Sequence, residues 1–129
     1  MKLRLRGNSL RLRISQTETR RLADGESVRE RVVFGRGSAF TYALVPGEGF
    51  SARFVGETIE VRLPTALARA WAEDVNQTSL AHDEPIGGSE VLSILVEKDF
   101  HCRTPRIRPE DESDLFPHPS GIGGPCGVT

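Results

Sequence analysis

Along the first hundred residues, apolar and polar positions alternate in short runs that are broken by turn dipeptides. Lys2 to Arg6 and Ser9 to Ile14 alternate strictly, and Gly7-Asn8 between them suits a two-residue hairpin turn. Ser15-Gln16-Thr17-Glu18 then reads as a capping box, in which the serine hydroxyl and the glutamate carboxylate satisfy backbone groups at a helix start. The helix is predicted to run to about Asp24 and stop at Gly25. Val28 to Phe34 and Phe40 to Val45 follow as β-branched and aromatic runs around the turn-forming Gly35-Arg36-Gly37-Ser38.

The same order then returns. Ala52 to Val55, a Gly56-Glu57 turn and Thr58 to Leu63 predict a second hairpin, followed by a helix from Pro64 or Thr65 to about Asp74. Leu67 and Trp71 share one face of that helix and are expected in the core. Thr78 to His82 and Val91 to Phe100 complete the pattern.

Displacing the chain against itself by 49 positions aligns Leu3 to Asp24 with Ala52 to Glu73. Arg4, Gly7, Arg13, Arg20 and Ala23 then face the identical residues Arg53, Gly56, Arg62, Arg69 and Ala72. Leu10 with Ile59, Leu12 with Val61, Ile14 with Leu63 and Leu22 with Trp71 agree in character, and Phe50 and Phe100 close the two units. Apolar and polar phase agree through two strands and a helix, which is the signature of duplication. The prediction is an α+β domain over residues 1–102 made from a repeated ββαββ unit, residues 2–50 and 51–100. Its eight strands are expected to be mostly antiparallel, in a curved sheet or wide barrel with two short helices.

From Arg103 the composition changes. Five prolines lie among acids and glycines in residues 103–129, so a Pro/Gly-rich acidic tail without regular elements is expected. Glu110-Asp111-Glu112-Ser113-Asp114 is either solvated or an arm that folds back on basic surface, and Leu115-Phe116-Pro117 gives reason to expect partial docking.

The whole chain, 129 residues with a formal charge of −1, fits one domain of ordinary size and excludes fibrous and wholly disordered classes. No apolar stretch approaches the roughly 18 residues of a membrane helix, and no signal-peptide core is present, so a cytoplasmic location without a membrane partner is expected. Cys102 and Cys126 are too few for a disulfide framework and are expected as free thiols. With His101 and His118 they would make only an atypical zinc set, and no phosphate loop, nucleophile elbow or metal-protease motif occurs. No cofactor is therefore expected.

The near-neutral total hides a polarised chain. Residues 1–36 carry ten Lys or Arg against four Asp or Glu, and the remainder seven against fourteen. In the first hairpin a two-residue turn places Lys2, Arg4, Arg6, Arg11 and Arg13 on one face and every leucine on the other. Like charges opposite one another destabilise a sheet, so compensation is needed from water, from carboxylates of other elements such as Glu30 and Glu97 or the tail, or from an anionic ligand. In the second hairpin the same register sets Arg53 opposite Glu60 and Ser51 opposite Arg62, a mixed face.

A solvated, ion-paired face is the plain reading of these charges. The functional reading gathers both hairpins around a shared groove, in which Arg4, Arg6, Arg11, Arg13, Arg53 and Arg62, with Glu60 and Glu97, bind a phosphorylated or polyanionic ligand. The leading expectation is a non-enzymatic binding protein for a phosphorylated small molecule or an acidic protein partner. An enzyme acting on a phosphorylated substrate, with Glu60 or Glu97 as acid or base, is the alternative, and a module whose arginines are neutralised by its own acidic tail is another. Nucleic acid ranks lower, because no aromatic residue interleaves Lys2 to Arg13.

The strand inventory is similar to that of the triphosphate tunnel (CYTH-like) barrels, which are also built from a duplicated unit of one helix and several strands. Their Glu-x-Glu-x-Lys opening is replaced here by Lys2-Leu3-Arg4-Leu5-Arg6, so no metal-dependent phosphohydrolase is implied. More specifically, Met1 to Arg13, Leu95-Val96-Glu97-Lys98-Asp99-Phe100, Cys102 and Glu110 to Pro117 resemble a family of short uncharacterised bacterial proteins, over most of the chain. That resemblance implies a bacterial cytoplasmic protein whose acidic tail belongs to the domain. It is a domain of unknown function, and it assigns no catalytic residue.

Overall fold

Strict alternation gives each hairpin one apolar face, and such a face is stable only when another element covers it. A computed structural model, which describes residues 1–100 and 112–117, shows how the chain does this. The elements in order are β1 (Lys2–Arg6), β2 (Ser9–Ile14), α1 (Gln16–Ala23), β3 (Val28–Gly35), β4 (Ser38–Pro46), β5 (Ser51–Val55), β6 (Thr58–Leu63), α2 (Thr65–Glu73), β7 (Ser79–Gly87) and β8 (Glu90–Lys98). The order ββαββ occurs twice, and the fold is α+β.

The strands form two separate four-stranded sheets, β1-β2-β8-β7 (sheet A) and β3-β4-β6-β5 (sheet B). The expected single curved sheet or wide barrel is therefore corrected: the barrel does not close. Each unit divides its two hairpins between the sheets, because α1 carries the chain from β2 in sheet A to β3 in sheet B and α2 carries it back. Every hairpin is antiparallel, but β2 joins β8 and β4 joins β6 in parallel, so both sheets are mixed. These parallel joints link one unit to the other.

The duplication is consistent with this arrangement. Exchanging the units carries sheet A onto sheet B, with Leu12 beside Val96 in one and Val61 beside Leu44 in the other. The displacement of 49 holds through β6, whereas Val28 and Leu44 correspond to Leu80 and Val96, a displacement of 52.

The hairpin register follows period two. Leu3 faces Leu12 and Leu5 faces Leu10, while Arg4 faces Arg11, and Gly7 supplies the left-handed corner at φ 54°. The apolar faces of both sheets meet in one core of Leu10, Leu12, Ile14, Leu44, Val61, Leu63, Leu80, Ile94 and Val96, joined by Leu22 of α1 and Ala68 and Trp71 of α2. The interior is thus packed with side chains and is not a tunnel. Trp71 is fully buried as expected, but Leu67 is exposed, because α2 turns Ala68 inward beside Trp71.

Both helices lie at the end where β2 and β6 finish, and all four hairpin turns lie at the other end. α1 begins with the predicted capping box: Ser15 Oγ accepts from the Glu18 N–H, and the Ser15 N–H donates to Glu18 Oε1 at 2.9 Å. β7 runs on through Asp83, Glu84 and Pro85, beyond the predicted stop at His82. It is an edge strand paired only to β8, a position where the missing N–H of a proline is tolerated.

Candidate anion-binding face

Because the leucines of β1 and β2 share the face of sheet A turned towards sheet B, their cations stand on its outer face. The register fixes that face as a lattice. Lys2, Arg13, Glu97 and Ser79 form one row across the four strands; Arg4, Arg11, Leu95 and Ala81 form the next; Arg6, Ser9, Ser93 and Asp83 form the third. Cations occupy the β1–β2 side, and the β7–β8 side holds the acids Glu97 and Asp83, the small Ser79, Ala81 and Ser93, and Leu95. The second and third rows line a basin of about 380 Å³.

Neutralisation is uneven. Glu97 Oε1 accepts from Arg13 Nε at 2.6 Å and lies 3.3 Å from Arg11 Nε, and Lys2 Nζ meets the buried Asp99 carboxylate at 2.6 Å. Among the described residues Arg4 and Arg6 have no ion-pair partner. Burial and then the charges of Arg11, Arg6 and Arg13 lower the pKa of Arg4, with Glu97 opposing them, and a guanidinium so placed stays charged at the expense of local repulsion.

The predicted residues do not all come together. Arg53, Glu60 and Arg62 stand on the outer face of sheet B, with the core between them and sheet A, so the arginines of the two hairpins do not line a common groove. There Glu60 Oε1 accepts from Arg53 Nη2 and Arg62 Nε, each at 3.1 Å. The Arg62 hydrogen bond, helped by Arg53, lowers the Glu60 carboxyl from its ordinary value, which favours its charged form. Glu30, expected as a counter-charge for the arginines, is inward in phase and accepts from the Met1 amino group at 3.2 Å beside Glu18 at 2.9 Å. Tyr42 donates to the Met1 carbonyl at 3.0 Å.

Part of the tail does dock. Asp114 Oδ1 accepts from Thr17 Oγ1 at 3.0 Å and from the Thr17 N–H, and the Asp114 carbonyl accepts from the Gln16 N–H at 3.0 Å, which tethers the tail to the start of α1. Hydrogen bonds from Ser15 and then Thr17 hold the Asp114 carboxyl below its ordinary value. Leu115 is buried, and the tail lines a cleft with Lys2 and Arg13 at the helix end of the face. Arg4 and Arg6, towards the turn end, do not line that cleft. Cys102, Cys126, His101 and His118 lie outside the described residues, and among the described residues no group of His, Cys, Asp or Glu is placed to hold a metal ion.

Lys98 escaped the sequence reading. It follows Ile94 and Val96 in inward phase and is buried, with its ammonium 5.6 Å from the Trp71 ring centre and 5.4 Å from that of Phe116, donating to the Asp74 carbonyl at 2.9 Å. Burial lowers its pKa, and Asp74 opposes that shift.

A family model covers residues 1–120, which include both sheets, both helices and the docked part of the tail. The chain belongs to DUF7009, a family of unknown function. Comparison with curated proteins and with solved structures finds no match. Among the described residues of this DUF7009 chain no helix is long and apolar enough to cross a membrane.

Proposed function

We propose that the outer face of sheet A binds a phosphorylated or otherwise polyanionic group, and that the protein works by binding and not by catalysis. The observation that carries this reading is the pair Arg4 and Arg6, which lack ion-pair partners among the described residues and line a basin with Ser9, Ser93, Ala81, Leu95 and, at its far side, Asp83. A guanidinium presents a planar fork of donors that matches two oxygens of a phosphate or carboxylate. Arg11 stands beside Arg4 in the same basin, and the Ser93 hydroxyl adds a further polar group there. An anion in the basin would relieve the repulsion between Arg4 and Arg11 that the bare hairpin retains.

Sheet B supports the contrast. Its homologous arginines, Arg53 and Arg62, converge on one carboxylate, whereas the corresponding position of β2, Arg11, is itself a cation. The two copies of the hairpin have diverged at the residue that decides whether the face is neutralised within its own hairpin. Glu60 and Glu97 are each engaged by arginines, the arrangement of a structural counter-charge, which supports binding over turnover.

The test is a melting-temperature titration with inorganic pyrophosphate in the absence of added metal. Stabilisation should grow with the logarithm of pyrophosphate concentration. Arg4→Ala and Arg11→Ala should lose most of that increment, and Arg53→Ala should keep it. A wild-type melting temperature that ignores pyrophosphate would contradict the reading.

A further inference from the structure

The end of the molecule opposite the helices has a shape, an apolar surface and a charge pattern that fit one another after a two-fold rotation. The shape comes from strand length. In sheet B, Thr58 at the start of β6 pairs with Thr41, so β4 extends three residues further, to Ser38. In sheet A, Ser9 at the start of β2 pairs with Ser93, so β8 begins three residues earlier, at Glu90. At about 3.3 Å per residue the β3–β4 and β7–β8 hairpins project about 10 Å past the β1–β2 and β5–β6 turns. Contacts between the sheets fix which turns are neighbours. Tyr42 to Met1 brings β4 to β1, while Ala52 N–H to Glu84 at 3.2 Å and the Phe50–His82 stack bring β5 to β7. Each projecting hairpin thus stands across from a recessed one, and the two projections lie on a diagonal.

The surface is apolar. Between the sheets at this end Leu5, Leu10, Phe40, Phe54, Ile59 and Leu92 line a cleft of about 450 Å³. Around it Phe34 is 70% exposed, Phe54 67%, Leu5 59% and Ile86 51%, with Val33 and Val55 also exposed. Exposed aromatic or aliphatic side chains thus stand on all four turns, and clustered apolar exposure of this kind marks surfaces of association.

The charges choose the orientation. The turns of the first unit are basic, with exposed Arg6, Arg31 and Arg36; those of the second carry exposed Glu57 and Glu90. Among the described residues none of these five has an ion-pair partner. A two-fold axis can seat projections in recesses in two ways. One sets β3–β4 on the partner's β1–β2 turn, basic on basic, and β7–β8 on the partner's β5–β6 turn, acidic on acidic. The other sets Arg36 near the partner's Glu57 and Glu90 near the partner's Arg6, with Phe34 entering beside the partner's Phe54. Opposite charges then meet at both contacts, and each contact occurs twice, as an isologous interface requires.

We propose that the turn end is a self-complementary interface through which two copies of this chain form an end-to-end dimer. The Arg4–Arg11 row of sheet A, on the side of the molecule, stays accessible in that dimer, whereas Arg6 lies at its edge beside the partner's Glu90.

The experiment is sedimentation or light scattering of the full chain over a range of concentrations, with thermal melting as the fold control. The wild type should show twice the chain mass. Phe34→Asp should give the monomer mass with an unbroken cooperative melt. Arg36→Glu and Glu57→Arg should each weaken the dimer, and the double exchange Arg36→Glu with Glu57→Arg should restore it, while Arg4→Ala leaves it unchanged. A wild type that is monomeric throughout would overturn the proposal, as would a dimer that survives Phe34→Asp or a double exchange no better than its single variants. Monomers that instead bind vesicles of anionic phospholipid would assign the end to a bilayer and overturn it equally.

Discussion

Lys98 is buried with no ion pair among the described residues, although the charge of Asp74 acts on it. Its four-carbon stem fills space that an aliphatic side chain would otherwise occupy, and its ammonium rests against two rings and a carbonyl. Removing a desolvated charge while keeping the stem is often neutral or stabilising. Lys98→Met should therefore leave the melting temperature unchanged or raised, whereas Lys98→Ala, which opens a cavity, should cost about 2–4 kcal/mol by denaturant titration. Equal losses in the two variants would show that the charge itself holds the fold. Inward phase in a strand reading Ile94-Leu95-Val96-Glu97-Lys98 was the available signal, and a lysine at that phase is easily assigned to the strand end, where it would be solvated.

Among the elements, the α1 N-terminus carries the most local interactions. Ser15 caps the helix, Glu18 closes the box and reaches the Met1 amino group, and Asp114 adds acceptors for the next backbone groups. Asp114→Ala should detach residues 112–117 and cost about 1 kcal/mol, the usual value of a helix-capping contact, read as faster amide exchange at Gln16 and Thr17. The same contact carries a pH dependence. The Asp114 carboxyl is lower in the folded chain than in the unfolded one, so its contribution is complete above the ordinary aspartate value. It is lost as pH falls through the folded value. Exchange at Gln16 and Thr17, corrected for intrinsic rates, should therefore rise in acid in the wild type and stay flat in Asp114→Ala.

The elements themselves were largely legible. Period two with glycine turns located the strands and the exact partners of the first hairpin, and the capping box located α1. β7 was cut short because Asp83, Glu84 and Pro85 have poor strand propensity; an edge position overrides that propensity, and nothing local marks a strand as an edge. Leu67 was misplaced for a related reason. Two apolar residues at helical spacing define a face, but the face that is buried pairs Trp71 with the small Ala68, a residue that apolar spacing alone does not single out.

At the scale of the molecule the duplication was readable and its consequence was not. Repeated phase identifies two ββαββ units, yet the units exchange hairpins through the parallel pairs β2–β8 and β4–β6, which join residues more than eighty positions apart in one sheet and fewer than twenty in the other. Sequence pattern specifies which face of a hairpin is apolar and leaves open which hairpins share a sheet. That is why Arg53 and Arg62, expected in a groove shared with the first hairpin, stand across the core from Arg4 and Arg11. The division also gives the account its contrast: one hairpin face with its cations bound to Glu60, the other with cations left over.

The most direct measurement follows the arginine side chains themselves. In a ¹H–¹⁵N spectrum of the guanidinium Nε–H groups, addition of inorganic pyrophosphate should shift the signals of Arg4, Arg6 and Arg11 along saturating curves with a common midpoint, while those of Arg53 and Arg62 stay in place. Equal shifts on both sheets, or none on Arg4 and Arg11, would contradict the assignment of sheet A as the anion-binding face.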